Sequence, residues 1–148
     1  MTHPPISRFY EEDHDRLDRL FQEFQRLKQN DFLKAREIFA QFYAGLERHI
    51  LWEEEILFPV FEEKSGMHQV GPTAVMRIEH TQIRGLLEVI HQRLLENSPD
   101  TDKEEALLLN YLGMHNMKEE KILYPAIDRL ITDAERDRIF RDMKKHGG

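Results

Sequence analysis

Apolar side chains recur every three or four residues along most of the chain, the spacing that places them on one face of an α-helix. Because this spacing continues almost everywhere, it predicts an all-α fold. Four long helices are predicted, at about 7–29, 32–58, 73–96 and 102–124. Short loops between helices favour antiparallel neighbours, so we expect an up-down-up-down four-helix bundle.

Residues that interrupt helices set the boundaries of these segments. The stretch 64–73 is rich in glycine and proline and is expected to form a loop between the second and third helices. Pro59 and Pro125 are expected to end the second and fourth helices, because proline lacks a backbone N–H. Thr132 with Glu135 has the spacing of a capping box, which predicts a short C-terminal helix.

The chain contains an internal repeat with a constant offset in residue number. The segment HILWEEEILFP at 49–59 matches HNMKEEKILYP at 115–125, and six of the eleven positions are identical. The offset that separates His49 from His115 also separates His14 from His80. The repeat therefore predicts two similar helical hairpins that pack as a pseudo-symmetric pair, over about 7–64 and 73–130.

The repeated residues are ones that bind metals. His49 and Glu53 are four residues apart, so both project from one face of a helix, and His115 and Glu119 have the same spacing. These positions fall in the apolar stripes that face the core, where a carboxylate without a partner is costly. Together with His14 and His80, they predict a shared cation cluster.

The donor set narrows the kind of metal site. Imidazole and carboxylate donors together suit iron, manganese or zinc. Six ligands exceed the four of a tetrahedral zinc site and indicate two metals a few Å apart, bridged by carboxylates.

Composition excludes several other classes of function. The 148 residues include no cysteine, which excludes disulfides, thiolate catalysis and iron–sulfur clusters bound by cysteine. A formal charge of −7 argues against a general nucleic-acid surface. No run of 18 apolar residues and no secretory h-region are present, so we expect no membrane span and a cytoplasmic location. The length favours one domain over 1–148, and the sequence leaves a protein partner unknown.

With these motifs the sequence resembles the hemerythrin-like (HHE cation-binding) family, from His14 to Pro125. The resemblance implies a four-helix bundle around a non-haem di-iron centre, with an oxo or hydroxo bridge between the two iron ions. It implies two pairs of histidines, one for each iron, and two bridging glutamates. In this chain the pairs are His14 with His49 and His80 with His115, and the bridges are Glu53 and Glu119.

The sequence departs from the oxygen-carrying hemerythrins at two positions. Those proteins have a further histidine four residues after the histidine of the third helix, where this chain has Arg84. Their last carboxylate is five residues after the histidine of the fourth helix. That position is Glu120 here, whereas the repeat favours Glu119, so both assignments stay open.

Residues next to the predicted ligands have expected roles of their own. Tyr111 lies one helical turn before His115 and could direct its hydroxyl toward the centre. Arg84 and its repeat counterpart Asp18 could form an ion pair across the bundle. Three further glutamates beside the ligands are expected to lie on solvated helix faces, namely Glu54, Glu55 and Glu120.

The leading hypothesis is a protein that binds or senses dioxygen, or a related small ligand, at a carboxylate-bridged di-iron centre. A second hypothesis is a di-iron enzyme that acts on peroxide or nitric oxide. A third is an iron-handling or iron-sensing protein in which metal occupancy controls folding. The sequence leaves open whether the protein is an enzyme, and zinc or manganese stays an alternative to iron.

Overall fold

The computed structural model describes residues 3–146, and all regular secondary structure within them is helical. Seven α-helices and two π-helical turns follow one another along this part of the chain. No helix among these residues combines the length and the apolar character needed to cross a membrane. The α-helices are α1 (Ile6–Leu27), α2 (Phe32–Trp52), α3 (Phe58–Ser65), α4 (Pro72–Leu95), α5 (Asp102–Lys118), α6 (Tyr124–Leu130) and α7 (Asp133–Lys145); the first π turn is Glu53–Leu57 and the second is Glu119–Leu123.

The four predicted long helices form, and they pack as neighbours in pairs. Helix α1 packs along α2 and α4 packs along α5, while α1 also contacts α6 and α2 contacts α4. The repeat is visible in the elements themselves, because the starts of α1 and α4, of the two π turns, and of α3 and α6 are all separated by the repeat offset. The up-down-up-down order of the long helices stays a prediction.

The capping box at the C-terminal helix is confirmed. The Thr132 hydroxyl accepts a hydrogen bond from the Glu135 backbone N–H, and the Glu135 carboxylate accepts one from the Thr132 backbone N–H. At the start of α2, the side chain of Asp31 accepts from the backbone N–H of Lys34. These bonds satisfy backbone donors that have no partner inside the helix.

The prediction that two prolines end their helices is wrong. Pro59 and Pro125 lie in the first turns of α3 and α6, where a missing N–H breaks no bond within the helix. Each follows a π turn in which the backbone N–H of Phe58 or Tyr124 bonds to a carbonyl five residues earlier. The widened turn therefore carries the helix past the proline. Both π turns begin at a predicted ligand, Glu53 or Glu119.

The core consists of two apolar clusters at different levels of the bundle. The first includes Tyr10, Met76 and Leu123, and the second includes Leu17, Ile83 and Leu112. Along α1 and α4, and along α5 together with the second π turn, the predicted ligands lie between residues of the first cluster and residues of the second. The fold therefore encloses a polar layer between two apolar ones.

Candidate metal centre

All six predicted ligands meet in this polar layer, and none is more than 3% exposed. Helices α1, α2, α4 and α5 each supply one histidine, and each π turn supplies one glutamate. Their donor atoms form two overlapping groups in which all atoms lie within 4.8 Å of one another. The groups are His14, His49 and Glu119, and Glu53, His80, His115 and Glu119.

The two glutamates each extend one oxygen to each pair of histidines. Glu53 Oε1 lies 3.1 Å from His80 Nε2, and its Oε2 lies 3.7 Å from His49 Nε2. Glu119 Oε1 lies 3.2 Å from His14 Nε2, and its Oε2 lies 3.3 Å from His115 Nε2. Both carboxylates therefore lie between two candidate cation positions, one beside each pair of histidines. We call these the His14/His49 position and the His80/His115 position.

Buried side-chain atoms that lack hydrogen bonds indicate that these residues fit a metal ion. Glu53 Oε1, His80 Nε2 and Glu119 Oε2 are fully buried, and no group among the described residues is aligned with them for a hydrogen bond, although Glu53 Oε1 and His80 Nε2 lie only 3.1 Å apart. Native proteins rarely leave buried polar atoms unsatisfied. All three atoms face the His80/His115 position, so a cation there would satisfy them together.

Each histidine contacts a second carboxylate through Nδ1, the ring nitrogen that faces away from the centre. The Nδ1 atoms lie 2.7–2.8 Å from carboxylate oxygens. Since a carboxylate only accepts hydrogen bonds, Nδ1 carries a proton, and with a metal bound the ring would be neutral and would present the lone pair of Nε2 to the centre. The pairs are His14 with Glu120, His49 with Asp13, His80 with Glu54 and His115 with Glu79.

These outer carboxylates correct the expectation that Glu54 and Glu120 lie on solvated faces. Both are partly buried, because each reaches from a π turn to a histidine on another helix. Glu55 is exposed, as expected. Glu119 rather than Glu120 lies at the centre. The outer set also follows the repeat, since Asp13 and Glu79 are repeat counterparts.

Arg84 and Asp18 do not form the expected ion pair. Arg84 lies beside the carboxylates of Glu47 and Glu54, at 3.4 and 3.3 Å. It therefore acts on the centre through Glu54, which holds His80. Asp18 is exposed at an open cleft between α1 and α5 beside Glu120, where partial loss of hydration raises the pKa of its carboxyl.

Without a cation, protons on the histidines offset part of the negative charge of the centre. Burial opposes protonation of His49, but Glu53 and the hydrogen bond to Asp13 outweigh it and raise the pKa of His49 to about 10. His80 has its pKa raised to about 9 in the same way, against burial, by Glu53 and Glu54. A cation that binds must displace these protons, so its affinity increases with pH.

The tyrosine that reaches the centre is Tyr124, which the sequence reasoning missed. Its single hydroxyl proton is shared between the carboxylates of Glu53 and Glu119, at O–O distances of 2.7 and 2.9 Å. Burial, together with those two charges, raises the pKa of this hydroxyl well above its usual range. Tyr111 is partly exposed and packs against the second apolar cluster. The available signal was the repeat, in which Tyr124 is aligned with Phe58 and differs from it by one hydroxyl.

Removing an outer carboxylate is expected to weaken metal binding without abolishing it. Glu79→Ala leaves His115 free to rotate and to place the proton on either ring nitrogen, so metal affinity should fall about 10- to 100-fold. Competition against a chromophoric chelator measures the change. Glu55→Ala, at an exposed position in the first π turn, is the matched control. Equal affinity of the two variants would contradict the role assigned to Glu79.

Comparison with known proteins finds relatives that this chain matches over only part of their length. A DNA nickase of Nostoc sp. is 28% identical over 132 residues, which is 89% of this chain and 36% of that protein. The iron-sulfur cluster repair protein YtfE of Citrobacter koseri is 32% identical over 75 residues, 51% of this chain and 34% of that protein. YtfE of Escherichia coli O81 is 28% identical over 86 residues, 58% of this chain and 39% of that protein.

The chain thus spans a little over a third of the length of these curated relatives. No solved structure matches it significantly. The family model of the hemerythrin HHE cation-binding domain matches residues 6–127, which include both groups of buried donors. This chain belongs to the hemerythrin HHE cation-binding domain family.

Proposed function

We propose that the protein holds two iron ions in this centre and uses them to bind or sense dioxygen or a similarly small ligand. The observation that carries the proposal is the orientation of Glu53 and Glu119, each with one oxygen toward each pair of histidines. Two histidines and two shared carboxylates at each position would bind iron and leave some of its coordination positions open. An iron pair supplies redox chemistry and a place where a small ligand binds.

The metal is proposed from the donors and from the relatives. Nitrogen and oxygen donors without sulfur suit iron, and manganese or zinc as alternatives. The YtfE proteins are named for repair of iron-sulfur clusters, which supports iron as the metal. The DNA-cleaving activity in the name of the Nostoc protein is not part of the proposal, because a chain with a net charge of −7 repels the phosphate backbone.

The surroundings of the centre favour a small ligand. Apolar clusters lie on both sides of the polar layer, and the inner glutamates are fully buried. We further propose that the long helices have the up-down-up-down order of a four-helix bundle, in which such sites form between facing helices. A dry, enclosed site limits access by water and by large molecules.

A di-iron enzyme acting on peroxide or nitric oxide is the alternative. The negative charge of the outer carboxylates makes the histidines stronger donors, which stabilises the oxidised metals. An enzyme would exploit that stabilisation through repeated turnover, whereas a binding protein would release its ligand unchanged.

The test is the response of the reduced, iron-loaded protein to each small molecule, added separately to anaerobic samples. We expect one spectral change with dioxygen, at a fixed ratio of ligand to protein, and reversal when dioxygen is removed. Continued consumption of peroxide or nitric oxide at many equivalents per chain would favour the enzyme. Absence of any spectral response to all three molecules would contradict both functions.

A further inference from the structure

The Tyr124 hydroxyl contacts every donor atom of one cation position. It lies 2.7 Å from Glu53 Oε2, 2.9 Å from Glu119 Oε1 and 3.3 Å from Nε2 of both His14 and His49. Metal–ligand distances of about 2.1 Å place adjacent ligands of an octahedral metal about 3 Å apart. The phenol oxygen is therefore spaced from these four atoms as a further ligand of the same metal would be.

The His80/His115 position has no such group among the described residues. Its donors include the three buried atoms without hydrogen bonds, whereas the two carboxylate oxygens of the other position share the single hydroxyl proton of Tyr124. By the repeat, the two positions would otherwise have equivalent ligands, although Glu53 lies farther from His49 Nε2, at 3.7 Å, than from His80 Nε2, at 3.1 Å. A single hydroxyl thus distinguishes two positions that the repeat would make alike.

The His80/His115 position lacks a hydroxyl because its aromatic residue is Phe58, the repeat counterpart of Tyr124. The rings of Phe58 and His80 are 5.8 Å apart, and the rings of Tyr124 and His14 are also 5.8 Å apart. The two aromatic rings therefore occupy corresponding places against corresponding histidines. A hydroxyl added to Phe58 would extend from a ring that is already in place.

We propose that Tyr124, as a phenolate whose proton is released to solvent when the metal binds, supplies a fifth protein donor to the His14/His49 cation. With a solvent-derived bridge as its sixth ligand, that cation would be closed, and the exchangeable ligand position would lie on the His80/His115 cation. This inference rests on the proposed two-metal centre. It corrects the symmetric picture that the repeat suggests, in which both metals would be equally open. It also names the half of the centre to which an external small ligand binds.

The test counts external anions on metal-loaded protein and needs no catalytic activity. The chain is loaded with Co²⁺, which replaces iron without oxidation, and titrated with azide while the visible spectrum of the cobalt is followed. We expect the natural chain to bind one azide per chain and Tyr124→Phe to bind two. Metal content is measured on the same samples and should be two ions per chain in both.

Two further variants separate the hydroxyl from general effects of substitution. Tyr10→Phe is the matched control, because Tyr10 is a buried tyrosine whose ring packs on Tyr124 and His49 but whose hydroxyl points to Met143 Sδ. It should bind one azide, as the natural chain does. Phe58→Tyr should add a hydroxyl that closes the His80/His115 position, so this variant should bind no azide.

The outcomes separate failure of this inference from failure of the proposed function. If Tyr124→Phe holds two cobalt ions and still binds one azide, the tyrosine is not a donor and the inference is overturned. The same holds if the natural chain binds two azides. If the natural chain binds fewer than two cobalt ions, the two-metal centre itself is overturned, and the inference falls with it.

Discussion

Replacing Glu119 with alanine is expected to reduce the metal content from two ions per chain to nearly none. Glu119 belongs to both groups of converging donors, with Oε1 near His14 and Oε2 near His115. Its loss removes a charged ligand from each cation position and leaves the four histidines with the single carboxylate of Glu53. Elemental analysis of protein expressed in iron-replete medium measures the change.

Two neighbouring glutamates provide the controls for this variant. Glu55→Ala changes an exposed residue of the first π turn and should retain both ions. Glu120→Ala removes the partner of His14 Nδ1 and should weaken binding without emptying the centre. If Glu119→Ala keeps two ions and Glu120→Ala loses them, the bridging carboxylate is Glu120 rather than Glu119.

Removing the metal is expected to lower the melting temperature while leaving the chain folded. A ligand present at about 1,000 times its Kd stabilises the native state by about 4 kcal/mol for each site. For a domain of this length that corresponds to a fall of about 8–16 °C per site when a chelator removes the ions. The two apolar clusters do not depend on the metal and should keep the helices packed.

Circular dichroism during thermal unfolding, with and without chelator, makes this measurement. It also decides the third hypothesis on function. A chain that unfolds at room temperature when its metal is removed would favour an iron sensor in which occupancy controls folding. An unchanged melting temperature in a protein that had contained two ions would contradict binding at the buried centre.

The convergence of the six central side chains could be predicted from the sequence. Positions four residues apart share a helix face, which places His49 with Glu53 and His115 with Glu119. The internal repeat then relates the two halves of the centre to one another. These rules concern residues on one helix or in equivalent elements, so a single sequence is enough to apply them.

The contacts made across helices could not be predicted in the same way. Glu120 and His14 are 106 residues apart, and nothing in their local sequence indicates that one holds the other. Tyr124 is five residues after Glu119, and it faces the same centre because the intervening turn is a π-helix rather than an α-helix. Ordinary helical spacing does not anticipate that wider turn, which also explains why helices continue past Pro59 and Pro125.

We propose that the chain holds two metal ions, mainly iron, in one bridged centre. Measuring all transition metals by mass spectrometry, in folded protein purified without oxygen from iron-replete cells, tests it most directly. We expect a total of about two ions per chain, mainly iron, because carboxylates bridge the two positions. A total near zero or one, in protein that circular dichroism shows to be fully helical, would contradict it.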